Sequence, residues 1–366
     1  MHSYSHSRID EARVSAYKIP TDAPESDGTF EWNSTTLVLV ELRSGDYWGL
    51  GYTYGHASLC GLIEELLQKC VKKTLVQNAP KTWLDLIDQV RNEGQVGGTA
   101  MAISAIDIAL WDLKAQCLKI SLSELLGRVR ETVPVYGSGG FTSYSSEQLQ
   151  TQFENWKRDG ISRFKMKVGR NSKEDIGRVR FARECIGNEA ELFVDANGAY
   201  DLPTALAMSD VFAKSGVTWF EQPIDPTDYN GMRHLRMRLP HGMSLATGEY
   251  IYDFQGVLDQ LETDSGDFLQ LDVTRCKGLT GYLKSAATCE IYHMPISSHC
   301  APSLHVALGC ALPGFRHIEY FHDHQQIEEL FFDGTPKPVH GQLSPTDHPG
   351  LGLRFKPDAA KRYLIA

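Results

Sequence analysis

Apolar and polar positions change their rhythm once along the chain, near residue 131. Before it, EARVSAYKI, TTLVLVELR and YWGLGYTY are short runs rich in β-branched and aromatic residues, which predicts three strands. Between the first two lies PTDAPESDGTFEWNS, long and dense in Pro, Asp, Ser and Gly, which predicts a loop of the functional kind. Helical periodicity follows over about 58–76, 81–92 and 98–118. The last of these, GGTAMAISAIDIALWDLKAQ, is apolar on most faces and predicts a helix buried between layers.

After residue 131, short apolar strands alternate with helical segments. The strands are VPVYGS, RFKMKV, LFVDAN, TWFEQP, SLATGE, FLQLDV, PISSH and RHIEY. Helices such as SKEDIGRVRFARECIG and LPTALAMSDVFAKSG separate them, and several stop at Gly. Eight strands with intervening helices predict a βα barrel. An open doubly wound sheet is disfavoured, because no G-x-G-x-x-G follows the first strand. The expected division is a flexible tail over 1–8, an α+β unit over 9–128 and a barrel over 129–344. Residues 345–366 carry enough apolar positions to pack back on the first unit.

Composition narrows the class. At 366 residues the chain suits one large or two unequal domains. A formal charge of −10 argues against a nucleic-acid binder, which needs a basic face. No apolar run reaches the ~20 residues of a membrane helix, and the polar opening MHSYSHSRIDEA does not read as a signal peptide. The eight cysteines include no C-x-x-C pair, so reduced thiols and a cytoplasmic location are expected.

The chemistry lies in a spacing. Lys167, Asp195, Glu221, Glu249, Asp272, His299 and Glu319 each sit at or near the C-terminal end of a predicted strand, at intervals of 28, 26, 28, 23, 27 and 20 residues. Those ends converge on one barrel mouth, where active sites of this architecture lie. Any one acid there reads first as a turn residue or helix cap; seven ionisable groups in register do not. Asp195, Glu221 and Glu249 come from consecutive strands and would repel unless a hard cation held them, which suits Mg²⁺. No His or Cys stands among them, which argues against zinc. Asn197, two residues past Asp195, shares its face. Lys165 and Lys167 also share a face, and their crowding is expected to lower a lysine pKa and make a general base. Asp272 beside His299 is expected to fix its tautomer and form a second acid/base opposite Lys167.

The run AISAIDIALWDLKAQ, the Lys165–Met166–Lys167 pair, then VDANG, FEQP, ATGE, LDV and SSH in this order resemble the enolase superfamily, and within it the mandelate racemase subgroup with its acid-sugar dehydratases. The resemblance implies a modified (β/α)7β TIM barrel with an N-terminal capping domain completed by the C-terminal segment. It implies Mg²⁺, one per subunit, at Asp195, Glu221 and Glu249, a base at Lys167 and a His299–Asp272 dyad opposite. Lys165 resembles the electrostatic partner of the substrate carboxylate and Glu319 the acid that hydrogen-bonds it. A homo-oligomer is a further implication. Two departures are visible: TRCKGLT follows Asp272 where many relatives carry paired glycines, so Arg275 and Lys277 are expected to alter the mouth, and Gln222 replaces a commoner acid in FEQP.

The expected reaction is removal of the α-proton of a small carboxylate through an enediolate, with a protonated Glu319 and Lys165 stabilising the charge. If His299 then protonates a β-hydroxyl, water leaves and a 2-keto-3-deoxy acid results. If the opposite base returns a proton, the outcome is racemisation or epimerisation; a sugar-lactone cycloisomerase is a third reading, and a non-catalytic binding protein the least favoured. Loops at about 20–34 and 52–58, with Asp22, Glu25, Asp27, Trp32, Tyr52, Tyr54 and His56, are polar and aromatic and suit a polyhydroxylated chain. Trp32, Tyr54 and His56 are the expected substrate contacts.

Overall fold

A computed structural model describes residues 7–366. Residues 1–6 of the expected tail lie outside the described residues; Ser7 and Arg8 are paired, with Val76 N donating to Ser7 O and the Arg8 guanidinium to Lys73 O.

The chain opens with an antiparallel sheet of β1 (Glu11–Ser26), β2 (Glu31–Ser44) and β3 (Tyr47–Tyr54). The expected long loop over 20–34 is instead a hairpin, since Glu25 pairs with Trp32 and Ser26 with Glu31 beyond a register shift that begins at Pro20. Its polar composition hid the strands. A hairpin that projects past its own core has no reason to alternate apolar and polar positions, and Pro is tolerated beside an irregularity where a ladder bond is missing. Asp27 Oδ1 closes the turn by accepting from Thr29 N and Phe30 N at 2.6 and 2.7 Å. The second expected loop shrinks likewise, because Tyr52 and Tyr54 belong to β3.

Helices α1 (Leu59–Leu66), α2 (Ala79–Gln89) and α3 (Gly98–Leu118) follow. The helix expected over 58–76 is cut short by a wide π turn at Leu67–Val71 and a left-handed Lys73. Helix α3 is buried on most faces, as its uniform apolarity predicts. It lies flat on β3 because Gly49 and Gly51 carry no side chain; a Cβ at Gly51 would stand 2.1 Å from Ala105 O. Asp112 of α3 accepts from Leu50 N and Leu351 N, both at 2.7 Å, and so joins β3 to the C-terminal segment. Helix α4 (Leu122–Leu126) starts at a Ser121–Glu124 capping box and leads into the barrel.

The barrel strands are β4 (Val133–Gly139), β5 (Arg163–Lys167), β6 (Glu191–Asp195), β7 (Val217–Glu221), β8 (Ser244–Thr247), β9 (Phe268–Leu271), β10 (Ile296–Ser298) and β11 (Ile318–Phe321). After them in turn come α5 (Ser146–Arg158), α6 (Ser172–Ile186), α7 (Leu202–Ala213), α8 (Tyr229–Arg236), α9 (Phe254–Thr263), α10 (Gly278–Ile291), α11 (Pro302–Ala311) and a last helix, α12 (His322–Phe331). Caps at Ser145, Asn171, Asp201, Asp228 and Asp253 start five of the helices, each accepting a backbone N–H. The strands are parallel in the order β10–β9–β8–β7–β6–β5–β4–β11, and Arg316 N→Ile296 O and Ser298 N→His317 O close the ring. Tyr136, Phe193, Trp219 and His317 fill its interior with interlocked rings.

The C-terminal residues return to both parts. Gln342–Leu343 pairs antiparallel with β4, and Ala16 exchanges backbone bonds with Ile365 and Ala366. No described helix is long and apolar enough to cross a membrane, and the eight cysteines are free thiols.

Candidate active site

Barrel closure brings the seven strand-end groups together. Lys167, Asp195 and Glu221 are the last residues of β5, β6 and β7; Asp272 and His299 immediately follow β9 and β10; Glu249 stands two residues past β8 and Glu319 lies within β11. All seven are buried, none more than 7 % exposed. In the ring order, β5 and β10 are separated by β6–β9 on one side and by β4 and β11 on the other, so Lys167 and His299 face each other across the mouth.

Ion pairs knit the rim. Lys165 Nζ contacts Glu221, Glu319 at 2.6 Å and Asp195 at 3.3 Å, while Lys167 Nζ lies 2.5 Å from Asp195 Oδ2. Trp219 Nε1 and Gln270 Nε2 donate to Glu221 Oε2 at 3.0 and 2.8 Å. His299 Nδ1 is 2.8 Å from Asp272 Oδ2, and its Nε2 is 3.0 Å from Glu249 Oε2. Thr274 N and Oγ1 hold the other Asp272 oxygen at 2.7 Å. Asp272 is thus fixed before it orients the imidazole.

Charge follows from these contacts. Burial pulls Lys165 and Lys167 down, but the surrounding carboxylates outweigh it and both end above the ordinary lysine range. Crowding by Lys165 does pull Lys167 down, as expected, but Asp195 raises it by more and the net direction is reversed. Glu319, expected as a protonated acid, is instead drawn toward its ionised form. Burial raises its pKa, yet Lys165 overrides this and holds it well below the usual carboxylate range; Ser138 Oγ and Cys300 N donate to its two oxygens at 2.7 and 2.6 Å. Asp195 falls to about 2, since the two lysines overcome its burial. Glu221 rises to about 8, through burial and the charge of Asp195. Burial lowers the pKa of His299, while Cys300 and Asp272 raise it, and the net lies well above free imidazole. Burial pushes the Cys300 thiol to about 12, so Asp272 is the partner that carries charge.

A divalent cation fits this rim. Asp195, Glu221 and Glu249 stand on consecutive strands and offer only carboxylate oxygens, the hard donors that Mg²⁺ prefers. Asn197 Oδ1 is buried with no partner, while its Nδ2 reaches Glu249 Oε1 at 3.4 Å. Asp195 and Glu221 are bridged here by the Lys165 ammonium, and Glu249 is paired with His299 Nε2. His299, Cys300 and Glu319 do bring donor atoms within 4.8 Å of one another, but a protonated thiol beside an imidazole suits neither Mg²⁺ nor any hard ion.

The mouth opens into a cavity of about 500 Å³ whose lining includes Lys167, Asn197, Glu249, His299 and Glu319, with Asp27, Trp32, Tyr54 and His56 on the capping side. A larger cavity, about 650 Å³, lies outside the barrel between α5 and α12 and holds none of the strand-end groups. Three loop residues expected at the mouth are elsewhere. Tyr52 Oη donates to buried Glu328, Asp22 meets Gln326 and His322, and Glu25 is enclosed by Tyr144 and Asp323. Arg275 lies at the mouth, its Nη1 bonded to Glu249 O at 2.9 Å, whereas Lys277 turns away to Asp253. Gln222 is buried and engaged with Thr247 and Ile224 O. Sequence reading missed Ser138, Cys300 and Asp323. Ser138 could have been found, since it stands near the end of the first barrel strand, in the layer of the other rim groups.

Known proteins share this architecture. Residues 13–127 match the mandelate racemase / muconate lactonizing enzyme N-terminal domain, and residues 148–359 match the enolase C-terminal domain-like family. The chain belongs to the mandelate racemase-like branch of the enolase superfamily. Its fold is accordingly a modified TIM barrel with an N-terminal capping domain. Within this family it is similar to a crystal structure of a mandelate racemase/muconate lactonizing enzyme-like protein from Rubrobacter xylanophilus, 46% identical with a TM-score of 0.95, covering 98% of this chain and 100% of that one. It is 28% identical to L-talarate/galactarate dehydratase of Salmonella typhimurium, over 97% of this chain and 90% of the relative. It is 30% identical to 3,6-anhydro-alpha-L-galactonate cycloisomerase of Streptomyces coelicolor, over 94% and 96%. A racemase from Streptomyces coelicolor solved with bound magnesium has a TM-score of 0.91 at 28% identity, covering 98% and 100%.

Proposed function

We propose that this protein is a Mg²⁺-dependent hydro-lyase that removes the α-proton of a sugar acid and expels its β-hydroxyl, giving a 2-keto-3-deoxy acid. The observation that carries the reading is the opposition of Lys167 and the His299–Asp272 pair across a rim of buried acids. Dehydratases among the relatives and magnesium in a related structure support it.

Asp195, Glu221 and Glu249 would hold the ion, with Asn197 beside them. Bound there, Mg²⁺ supplies Lewis-acid stabilisation of the negative charge that α-deprotonation places on the substrate carboxylate. The chain's own groups do the rest. Lys165 is a fixed ammonium beside the rim and stabilises the same charge without reorganising. Lys167 Nζ and His299 Nε2 address opposite faces of the substrate. Lys167, whose ammonium is held by Asp195 here, would release its proton once that carboxylate served the ion; it or His299 takes the α-proton, and His299, kept in one tautomer by Asp272, delivers a proton to the departing hydroxyl. Ionised Glu319 acts by holding Lys165 and by ordering the chain at Cys300 N, rather than as a proton donor.

A screen of aldonates and aldarates with Mg²⁺, read as 2-keto acid formation, tests this. Keto acid from at least one sugar acid, lost on Lys167→Ala, is the expected result. The 30%-identical cycloisomerase favours a second reading, lactone cycloisomerisation; ring opening of a lactone without loss of water would select it.

A further inference from the structure

The wall of the cavity opposite the rim comes from the β1–β2 hairpin, the end of β3 and the start of α12. Its chemistry is one-sided. Asp27 and Asp323 both line the cavity. Asp323 Oδ2 accepts from Trp32 Nε1 at 3.1 Å and Thr35 Oγ1 at 3.4 Å. Tyr54 Oη is buried without any hydrogen-bond partner. Among the described residues lining this cavity, the only lysine and arginine are Lys167 and Arg275. Both are already matched, Lys167 by Asp195 and Arg275 by Glu249 O with Asp272 at 3.7 Å. Arg170, which reaches the hairpin from outside, is paired with Glu31. The two rings on this side do not replace a cation. His324 Nδ1 accepts from Ala301 N, and His56 Nδ1 accepts from Ser58 N at the exposed lip.

A hydroxyl and a carboxylate differ sharply against such a wall. A hydroxyl can donate to Asp27 or Asp323 and accept from Tyr54. A carboxylate can only accept, and would face two acids with no cation to offset them. We infer that the substrate is a monocarboxylate, an aldonate-type chain with hydroxyls at its far end, and that the hairpin wall excludes aldarates. This rests on the α-proton reading above and sets its substrate class. It also separates this chain from the relative that is named for galactarate.

The test compares aldonates with the aldarates of the same carbon number and configuration, gluconate against glucarate and galactonate against galactarate among them. Keto acid formation and α-deuterium exchange are both read, with kcat and KM taken separately. The aldonate members are expected to lead in kcat/KM by about a hundredfold or more, the scale of a like-charge juxtaposition. Tyr54→Phe should raise the aldonate KM about tenfold while leaving kcat within about twofold. Asp27→Asn, which keeps the turn-closing oxygen, should narrow the discrimination against aldarates. An aldarate used as well as its aldonate, or an unchanged KM in Tyr54→Phe, would overturn the monocarboxylate assignment and leave the α-proton chemistry standing. No α-deuterium exchange in any sugar acid tested would overturn that chemistry, and the assignment with it.

Discussion

The barrel rim and the capping hairpin meet at one cavity but are built in opposite ways. The rim groups stand at or near β-strand ends and are buried, and most are gripped by two or more neighbours; Lys165 alone contacts three acids. The hairpin makes its own bonds to the barrel loops, backbone ones among them, with Thr142 N donating to Ser26 O at 2.8 Å and Thr142 Oγ1 to Asp27 O at 2.9 Å. Ser26 Oγ meets Thr142 Oγ1 at 2.6 Å, Trp32 reaches Asp323, and Gly28 lies against Val168 O and Ala196 O, which stand 2.8 and 2.4 Å from where its Cβ would be. The difference teaches that chemistry and selectivity have separate supports. Rim geometry is overdetermined, so changes there should act on kcat. Hairpin residues line the cavity without gripping the rim groups, so changes there should act on KM.

The largest effect should come from the metal ion. Removing divalent cations should cut turnover by at least about a thousandfold, since a bound ion contributes several kcal/mol of charge stabilisation, and Mg²⁺ should restore it; assay with chelator and add-back checks this. Next, Asp272→Asn leaves His299 in place but removes the carboxylate at Nδ1. We expect kcat to fall about 10- to 100-fold, with KM little changed, in steady-state kinetics.

Hairpin changes should be smaller and fall on KM. Gly28→Ala puts a methyl against two backbone oxygens, an overpacking of about 1–3 kcal/mol. The tip should lift, raising KM about tenfold with little change in kcat. The smallest effect concerns the Glu25–Asp323 pair. Burial and the charge of Asp323 raise Glu25 to about 10. Folding therefore favours protonated Glu25, and the stability this gives is complete below an ordinary glutamate pKa of about 4. It is lost as pH rises toward about 10. Glu25→Gln should match the wild type near pH 5 and melt about 2–5 °C higher near pH 9; melting curves across that range give the slope.

The same contrast explains what the sequence disclosed. The rim was legible because a barrel repeats: strand, helix and loops consume a near-constant length, so Lys167, Asp195, Glu221 and Glu249 fall in register without any knowledge of contacts. α3 was legible from its uniform apolarity. The hairpin was not, because its register depends on an irregularity at Pro20–Glu25 and a turn closed by the Asp27 side chain, neither of which follows a hydropathy period. Protonation was not legible either. Spacing placed Lys165 beside Lys167 but did not show that Glu221, Glu319 and Asp195 surround them, and those acids reverse the direction of the lysine shift.

The central claim is that two bases work from opposite faces. It is tested most directly by proton NMR of the turned-over sugar acid in D₂O with Mg²⁺, using Lys167→Ala and His299→Asn side by side. The account predicts that neither variant forms keto acid at more than about a hundredth of the wild-type rate. It also predicts that one of the two, and only one, still exchanges the α-hydrogen for deuterium. Keto acid at the wild-type rate from both variants would contradict it.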